Sequence, residues 1–387
     1  MIEKKGTIMD NRITNILERE VDRQNTTIEL IASENFASDD VMRLCGSVFT
    51  NKYAEGYSGK RYYNGCTHMD EIEDLAISEL TNLYGCKFAN VQPHSGANAN
   101  TAVYHALLKP GDTILGMNLA AGGHLSHGAP VNMSGKTYNA FHYGVDSQGY
   151  IDYESVRSWA RGVSPKIIVA GASAYPRQID WKIFRDIADE VDAYLLVDMA
   201  HYSGLIAGGA YDSPVPYADI ITSTTHKTLR GPRGGIILWN NADYSKKINS
   251  GIFPGTQGGP LMNIIAAKAQ AFVEANTDEF ANYAKTVVDN ARAMADVFVE
   301  NNMRVLTGGT DSHILLIDLS DSKYSGKQAA DLLEKNGITV NKNGIPHDPR
   351  SFAETSGIRI GTAAETTRGK DAAWFAGLAE RIAQILR

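Results

Sequence analysis

The segment Asp219-Ile-Ile-Thr-Ser-Thr-Thr-His226-Lys227-Thr228 delivers a lysine from the end of an apolar run into a cluster of hydroxyls. Upstream, Tyr194-Leu-Leu-Val-Asp198 ends a second apolar run in a carboxylate, with His201 three residues further on. Lys227 follows Asp198 by 29 residues, about one strand-to-strand step in an α/β protein. A lysine able to form an imine and an aspartate able to keep a pyridine nitrogen protonated are the two groups that pyridoxal phosphate requires from its protein.

Each residue also has a plainer reading. A lysine after a strand is ordinarily solvated, but Thr224, Thr225, His226 and Thr228 crowd Lys227, and Gly231-Pro-Arg-Gly-Gly235 follows as a loop that permits close backbone approach. Partial desolvation of this kind lowers a lysine's pKa and fits it to attack an aldehyde. Asp198 could instead cap the following helix, and His201 could be a packed histidine.

Other segments could complete such a site. His94-Ser95-Gly96-Ala97-Asn98-Ala99-Asn100 joins a strand to a helix with small residues, so its N–H groups and the helix N-terminus could cradle a phosphate; a plain capped helix is the alternative. Phe253-Pro-Gly255-Thr-Gln-Gly258-Gly259-Pro is a second glycine-rich loop. Arg359, in Ser356-Gly-Ile-Arg-Ile-Gly361, sits in a short apolar strand where a guanidinium needs a partner, either a structural carboxylate or that of a substrate. Asn51-Lys-Tyr53-Ala-Glu55-Gly-Tyr57-Ser-Gly-Lys-Arg61-Tyr62-Tyr63 groups tyrosines around one carboxylate, as an aromatic interface or as acid–base groups.

Three tempting motifs fail. Gly122-Gly-His124-Leu-Ser-His127 lacks the glutamate of HExxH and a matching third ligand, so no metal is expected, although His124 could stack on a flat ring. Ser134-Gly-Lys-Thr137 imitates the end of a P-loop, but Pro130 stands where the first glycine belongs. No GxGxxG is present, which argues against a dinucleotide enzyme.

The elements that must position these residues alternate along the chain. Helical spacing at Ile72, Leu75, Ala76, Leu80 and Leu83 ends at Gly85, a natural C-cap. Short apolar runs follow at 88–91, 113–117, 166–170, 193–197, 220–222 and 235–239, with loops or amphipathic helices such as 181–191 between them. This predicts an α/β fold with a mostly parallel sheet whose carboxyl ends collect Asp198 and Lys227. From about 277 a long helical stretch, strands near 304–306, 314–318 and 338–341, and a helix at 326–336 predict a smaller α+β domain. The expected division is an N-terminal arm at 1–40, with helical spacing at Ile13, Ile16 and Leu17, a large domain at 41–276 and a small domain at 277–387.

With 387 residues, 43% hydrophobic and 21% charged, the chain has material for both cores. Its net charge of −7 disfavours nucleic acid as a partner. Cys45, Cys66 and Cys86 are too few and too scattered for a disulfide framework, and neither a signal-peptide core nor eighteen consecutive uncharged apolar residues occur. A cytoplasmic protein that does not enter the membrane is expected.

Taken together, Ile28-Glu-Leu-Ile-Ala-Ser33-Glu-Asn35, Asn51-Lys-Tyr-Ala-Glu55-Gly-Tyr, Asn90-Val-Gln-Pro-His-Ser95-Gly96, Val197-Asp198-Met-Ala-His201, Thr224-Thr-His226-Lys227-Thr and Ser356-Gly-Ile-Arg359 resemble the signatures of the serine hydroxymethyltransferase family, in that family's order, from about residue 28 to 367. The resemblance implies a fold type I pyridoxal-phosphate transferase that moves the serine hydroxymethyl group reversibly to tetrahydrofolate. It implies Lys227 as the aldimine lysine, Asp198 at the pyridine nitrogen, His124 stacked on the ring, Ser173 and His201 near the phenolic oxygen, and Thr224 and His226 beside the lysine. Ser95, Gly96 and Ala97 would bind the phosphate, joined by Tyr53, Gly258 and Gly259 of a neighbouring subunit. Ser33 and Arg359 would hold the amino-acid carboxylate, with Glu55 and Tyr63 arriving from the neighbour in a homodimer or tetramer. Tetrahydrofolate would contact Tyr62, Leu119, Gly123, Leu125, Asn343 and Ser351.

The chain departs from the family at Ser351-Phe352-Ala353, where Ser-Pro-Phe is common, at Thr362-Ala363-Ala364 in place of Thr-Pro-Ala, and at Ala121, where histidine is frequent. A tail of only 28 residues follows Arg359. The altered loop leaves room for another reading, a folate-independent aldolase or hydroxymethyltransferase for an α-methyl or other β-hydroxy amino acid.

Overall fold

A computed structural model describes residues 9–387; the first eight residues of the expected arm lie outside the described residues. Seven strands form the central sheet, in the spatial order Phe88–Asn90, Gly235–Trp239, Ile220–Thr224, Tyr194–Asp198, Ile167–Ala170, Thr113–Met117, Asn139–Tyr143. All neighbours pair in parallel except Gly235–Trp239, which runs antiparallel to both of its partners. The chain is therefore an α/β protein with a mostly parallel mixed sheet.

Side-chain alternation explains why these runs read as continuously apolar. Ile168, Ala170, Leu195, Val197, Ile221, Ile236 and Leu238 enter one core, while Ile167, Val169, Leu196, Ile220, Ile237 and Trp239 enter another on the opposite face. With both faces covered by helices, polar residues are pushed to the strand ends, and there Asp198 closes its strand and Lys227 follows the next one.

A second sheet of four antiparallel strands, ordered Arg304–Val305, Ile314–Asp318, Gly357–Gly361, Asn341–Asn343, carries Arg359 in its interior. Helices Gly326–Lys335 and Ala372–Leu386 cover it with a separate apolar cluster. The 23-residue helix Asp278–Glu300 serves both units: Phe280, Tyr283, Ala284, Val287 and Val288 join the core of the large sheet, and Ala291, Met294, Ala295 and Phe298 join that of the small one.

The arm does not end loose. Strand Ile28–Glu29 pairs in parallel with Ile338–Thr339, and Leu30 packs into the small core. Helix Asn11–Thr26, by contrast, has no buried residue, and Ile13, Ile16, Leu17 and Val21 are each about half exposed. Their spacing puts them on one side of the helix, an apolar stripe without a partner in the described chain. No helix among the described residues is long and apolar enough to cross a membrane.

Candidate active site

At the carboxyl ends of the parallel strands, Ser95, Gly96, Ala97, His124, Ser173, Asp198, His201, Thr224, His226 and Lys227 line one cavity of about 190 Å³, together with His127, Ala172, Ala200 and Arg233. Ten residues spread over more than 130 positions of sequence thus converge. The first edge of the cavity is the helix Gly96–Leu107, whose N-cap Ser95 accepts from the Asn98 N–H at 3.2 Å. A side chain at Gly96 would place its Cβ 2.7 Å from Thr224 Cγ2, so only glycine lets the helix start so close to the lysine strand.

Asp198 is buried, and burial alone would raise its pKa. Against that, Oδ2 accepts from His127 Nε2 at 3.0 Å and from Asn100 Nδ2 at 2.8 Å, while Oδ1 accepts from the Ala200 N–H at 3.1 Å. The donors win and hold the carboxyl well below the usual carboxylate range. The proton on His127 Nε2 is fixed by its other nitrogen, which accepts the His124 N–H.

Burial draws the Lys227 amine from 10.5 down to about 8, against the attraction of Asp198 and with the help of Arg359 and Arg233. Its Nζ donates to Thr224 Oγ1 at 3.1 Å. His124 is pushed down to about 4, first by burial, and its Nδ1 accepts the Ser126 N–H, which leaves a neutral ring. Burial also keeps His201 neutral and draws His226 down to about 3. His201 stacks on His313, ring centroids 5.6 Å apart, and His313 Nε2 donates to the Ala32 carbonyl beside Ser33.

Arg359 reaches the same place from the small sheet. It donates to the Ser173 carbonyl at 2.6 Å and to Asn341 Oδ1 at 3.1 Å, two neutral oxygens, and burial lowers its pKa to about 10. No carboxylate among the described residues hydrogen-bonds it, so the structural ion pair weighed as its alternative is not formed.

The donor set fits pyridoxal phosphate. Asp198 is the one acid in a lining that also holds Lys227 and Arg233, and the charge of Arg359 is felt at Lys227, so the cavity favours anions. The end of helix Gly96–Leu107 offers N–H donors, Nδ1 of His226 is buried without a hydrogen-bond partner among the described residues, and Arg359 has no carboxylate partner there. His124, His127 and Asp198 also bring donor atoms within 4.8 Å of one another, supplying the third group that spacing alone lacked for a metal. The direct His127–Asp198 hydrogen bond occupies that space.

A second group lies elsewhere. Tyr53, Glu55, Tyr62, Tyr63, Gly258 and Gly259 line no part of this cavity. They cluster among themselves: Tyr53 and Tyr63 rings meet edge to face at 5.2 Å, a Cβ at Gly258 would lie 3.1 Å from Glu55 Oε1, and one at Gly259 would touch the Tyr53 ring. Tyr62 is 74% exposed beside Phe253. Leu119, Gly123 and Leu125 lie on the segment that carries His124; Asn343 ends a small-sheet strand; and Ser351 with Phe352 borders a different cavity of about 520 Å³, shared with Asn118, Ala121 and His142.

Sequence reasoning gave no role in this site to Asn100, Arg233 or Asn341, and met His127 only in the rejected metal motif. Asn100 is a fully buried amide in an alanine-rich helix, a polar residue on the wrong face, and that was its readable signal.

Fold, strand-end lysine and buried aspartate define a fold type I pyridoxal-phosphate enzyme. The chain belongs to the serine hydroxymethyltransferase family, whose profile, described as serine hydroxymethyltransferase, matches residues 7–382. It is similar to the serine hydroxymethyltransferase of Rhodospirillum centenum, 57% identical over 96% of this chain and 86% of the relative. It is also similar to those of Wolbachia sp. subsp. Drosophila simulans, 55% identical over 98% and 89%, and Nitratiruptor sp., 56% identical over 97% and 91%.

Proposed function

We propose that this chain transfers the hydroxymethyl group of serine reversibly to tetrahydrofolate, giving glycine and 5,10-methylenetetrahydrofolate, with pyridoxal phosphate as its cofactor. Family membership supports the reaction, and one observation carries the chemistry: Lys227 and Asp198 line the same cavity. Bound there, the cofactor supplies a ring that takes up the electron pair released when the serine Cα–Cβ bond breaks.

The residues divide the work. Lys227, with an amine near pKa 8, would hold the cofactor through its aldehyde carbon, and Thr224 Oγ1 accepts from its Nζ and fixes it in place. Asp198 stays anionic and keeps a proton on the ring nitrogen; neutral His124 covers the ring; Ser173 and His201 attend its phenolic oxygen. Ser95, Gly96, Ala97 and His226 take the phosphate. Arg359 and Ser33 take the serine carboxylate, in a fork the guanidinium is shaped to make.

Glu55, Tyr53, Tyr63, Gly258 and Gly259 serve the cavity of a second copy, so the working unit is a homodimer or a higher assembly of dimers. That none of them lines the cavity of their own chain, and the unpartnered stripe Ile13, Ile16, Leu17, Val21, support this. Glu55 would pass a proton to and from the serine hydroxyl. Tetrahydrofolate would lie against Tyr62, Leu119, Gly123, Leu125, Asn343 and Ser351. The large and small domains divide near residue 277, and the three free thiols support a reducing, cytoplasmic setting.

The purified protein with added cofactor should absorb near the visible edge, lose that band in Lys227→Ala, and cleave serine faster with tetrahydrofolate than without. A colourless wild type, or serine cleavage indifferent to tetrahydrofolate, would sink this reading.

A further inference from the structure

The loop between strand Phe88–Asn90 and helix Gly96–Leu107 is gripped from behind by two side chains that line no part of the cavity. Lys268, on helix Met262–Ala275, donates from Nζ to the carbonyls of Val91 at 2.6 Å, Pro93 at 3.0 Å and Gly235 at 2.8 Å. Gln257 donates to the Gln92 carbonyl at 2.9 Å and accepts the His94 N–H at 2.9 Å. The three successive carbonyls of residues 91–93 are thereby all committed.

This arrangement has an electrostatic sense. Carbonyl oxygens turned toward a phosphate would repel it, whereas here the carbonyls that precede the helix are drawn to Lys268 and Gln257, and the helix N-terminus faces the cavity. Lys268 is fully buried, and its three acceptors demand three protons, which only the ammonium has. Burial draws its pKa down to about 7 while Glu73 draws it up, yet Glu73 is already paired with Arg61 at 2.5 Å. The ammonium has no carboxylate at ion-pair distance among the described residues, so its charge stays uncancelled, near enough to be felt by the His94 ring. Gly234 makes room for it: a Cβ there would lie 2.4 Å from Lys268 Cε.

We propose that Lys268, assisted by Gln257, is a positioning residue for the cofactor phosphate, holding the carbonyls of residues 91–93 off the anion and placing its carbonyl-bound ammonium behind the phosphate-facing end of helix Gly96–Leu107. The inference rests on the pyridoxal-phosphate reading above and adds the residues that shape its phosphate pocket.

Titration of apoprotein with pyridoxal phosphate and with unphosphorylated pyridoxal tests it, in wild type, Lys268→Met and Gln257→Leu. Loss of charge-assisted hydrogen bonds that act on the phosphate should raise the Kd for pyridoxal phosphate by about 10-fold to 100-fold in Lys268→Met, and by less in Gln257→Leu, with pyridoxal changed by under about 3-fold. A purely structural lysine would weaken both aldehydes alike, and that result, or no change in either, overturns the proposal. Should Lys268→Met fail to fold, Gln257→Leu reads the same ratio, and an unmoved ratio there is equally fatal. A wild type that binds neither aldehyde would overturn the cofactor reading itself, an outcome distinct from intact binding with unchanged phosphate preference.

Discussion

Asn100 reaches Asp198 from 98 residues upstream, Nδ2 to Oδ2 at 2.8 Å, while its own Oδ1 accepts the hydroxyl of Thr222 at 2.6 Å. The Thr222 contact fixes which end of the amide faces the aspartate. Asp198 therefore meets donors on both oxygens and is held as an anion in a largely buried position.

Asp198→Asn breaks this arrangement in a defined way. An amide at 198 must turn its NH2 toward either the Asn100 and His127 donors or the Ala200 N–H, a donor against a donor in each case. Turnover should fall by on the order of 100-fold or more, since the fixed charge that answers the ring is gone. Chemical unfolding of the apoprotein should show a loss of about 1–3 kcal/mol. Wild-type turnover in this variant would remove Asp198 from the mechanism.

The Lys227 amine, lowered from 10.5 to about 8, sets a pH profile. At pH 7 roughly a tenth of the molecules carry the neutral, nucleophilic form, against fewer than about one in a thousand for an ordinary lysine. Covalent capture of pyridoxal phosphate by apoprotein should speed up about tenfold per pH unit below 8 and level off above it. A rate still climbing at pH 10 would mean the amine is not perturbed. The same depression makes the unfolded chain the better proton binder between 8 and 10.5, so this group's contribution to apoprotein stability rises with pH across that window.

Lys227, Asp198 and Ser95 were legible because buried strands end where polarity begins: Asp198 is the last residue of its strand, and Lys227 and Ser95 follow theirs within a few residues. The edge strand Asn139–Tyr143 left no continuous apolar run, because exposed and part-buried residues alternate up to the buried Tyr143 and none of its side chains is β-branched. Helix Met262–Ala275 escaped for the opposite reason: nine of its fourteen residues are buried, which erases the one-sided period that marks a surface helix. Contacts such as Arg359 with Ser173, 186 residues apart, follow from the docking of two sheets and leave no local mark.

Arg359 offers a test of substrate orientation. Its two neutral partners hold the side chain in place without cancelling its charge, so a serine carboxylate would complete it. Arg359→Lys keeps the charge but loses the planar fork, and KM for serine should rise by on the order of 100-fold with the Kd for pyridoxal phosphate nearly unchanged. An equal loss of cofactor affinity would assign the residue to the cofactor instead.

Glu55 lies outside the cavity that Lys227 lines, beside the position a Gly258 side chain would occupy. If it acts in the cavity of a second copy, two inactive variants should repair one another. Lys227→Ala and Glu55→Gln, each inactive alone, form on mixing a hybrid dimer in which one cavity carries both defects and the other neither. After dissociation and reassociation at equal concentrations half the dimers are hybrids, and activity should recover to about a quarter of the wild-type value per chain. Charged substitutions on the exposed helix stripe, such as Ile16→Glu with Leu17→Glu, should lower both the dimer fraction in sedimentation and this recovery. Hybrid dimers that form yet stay inactive would mean that each cavity is completed by its own chain.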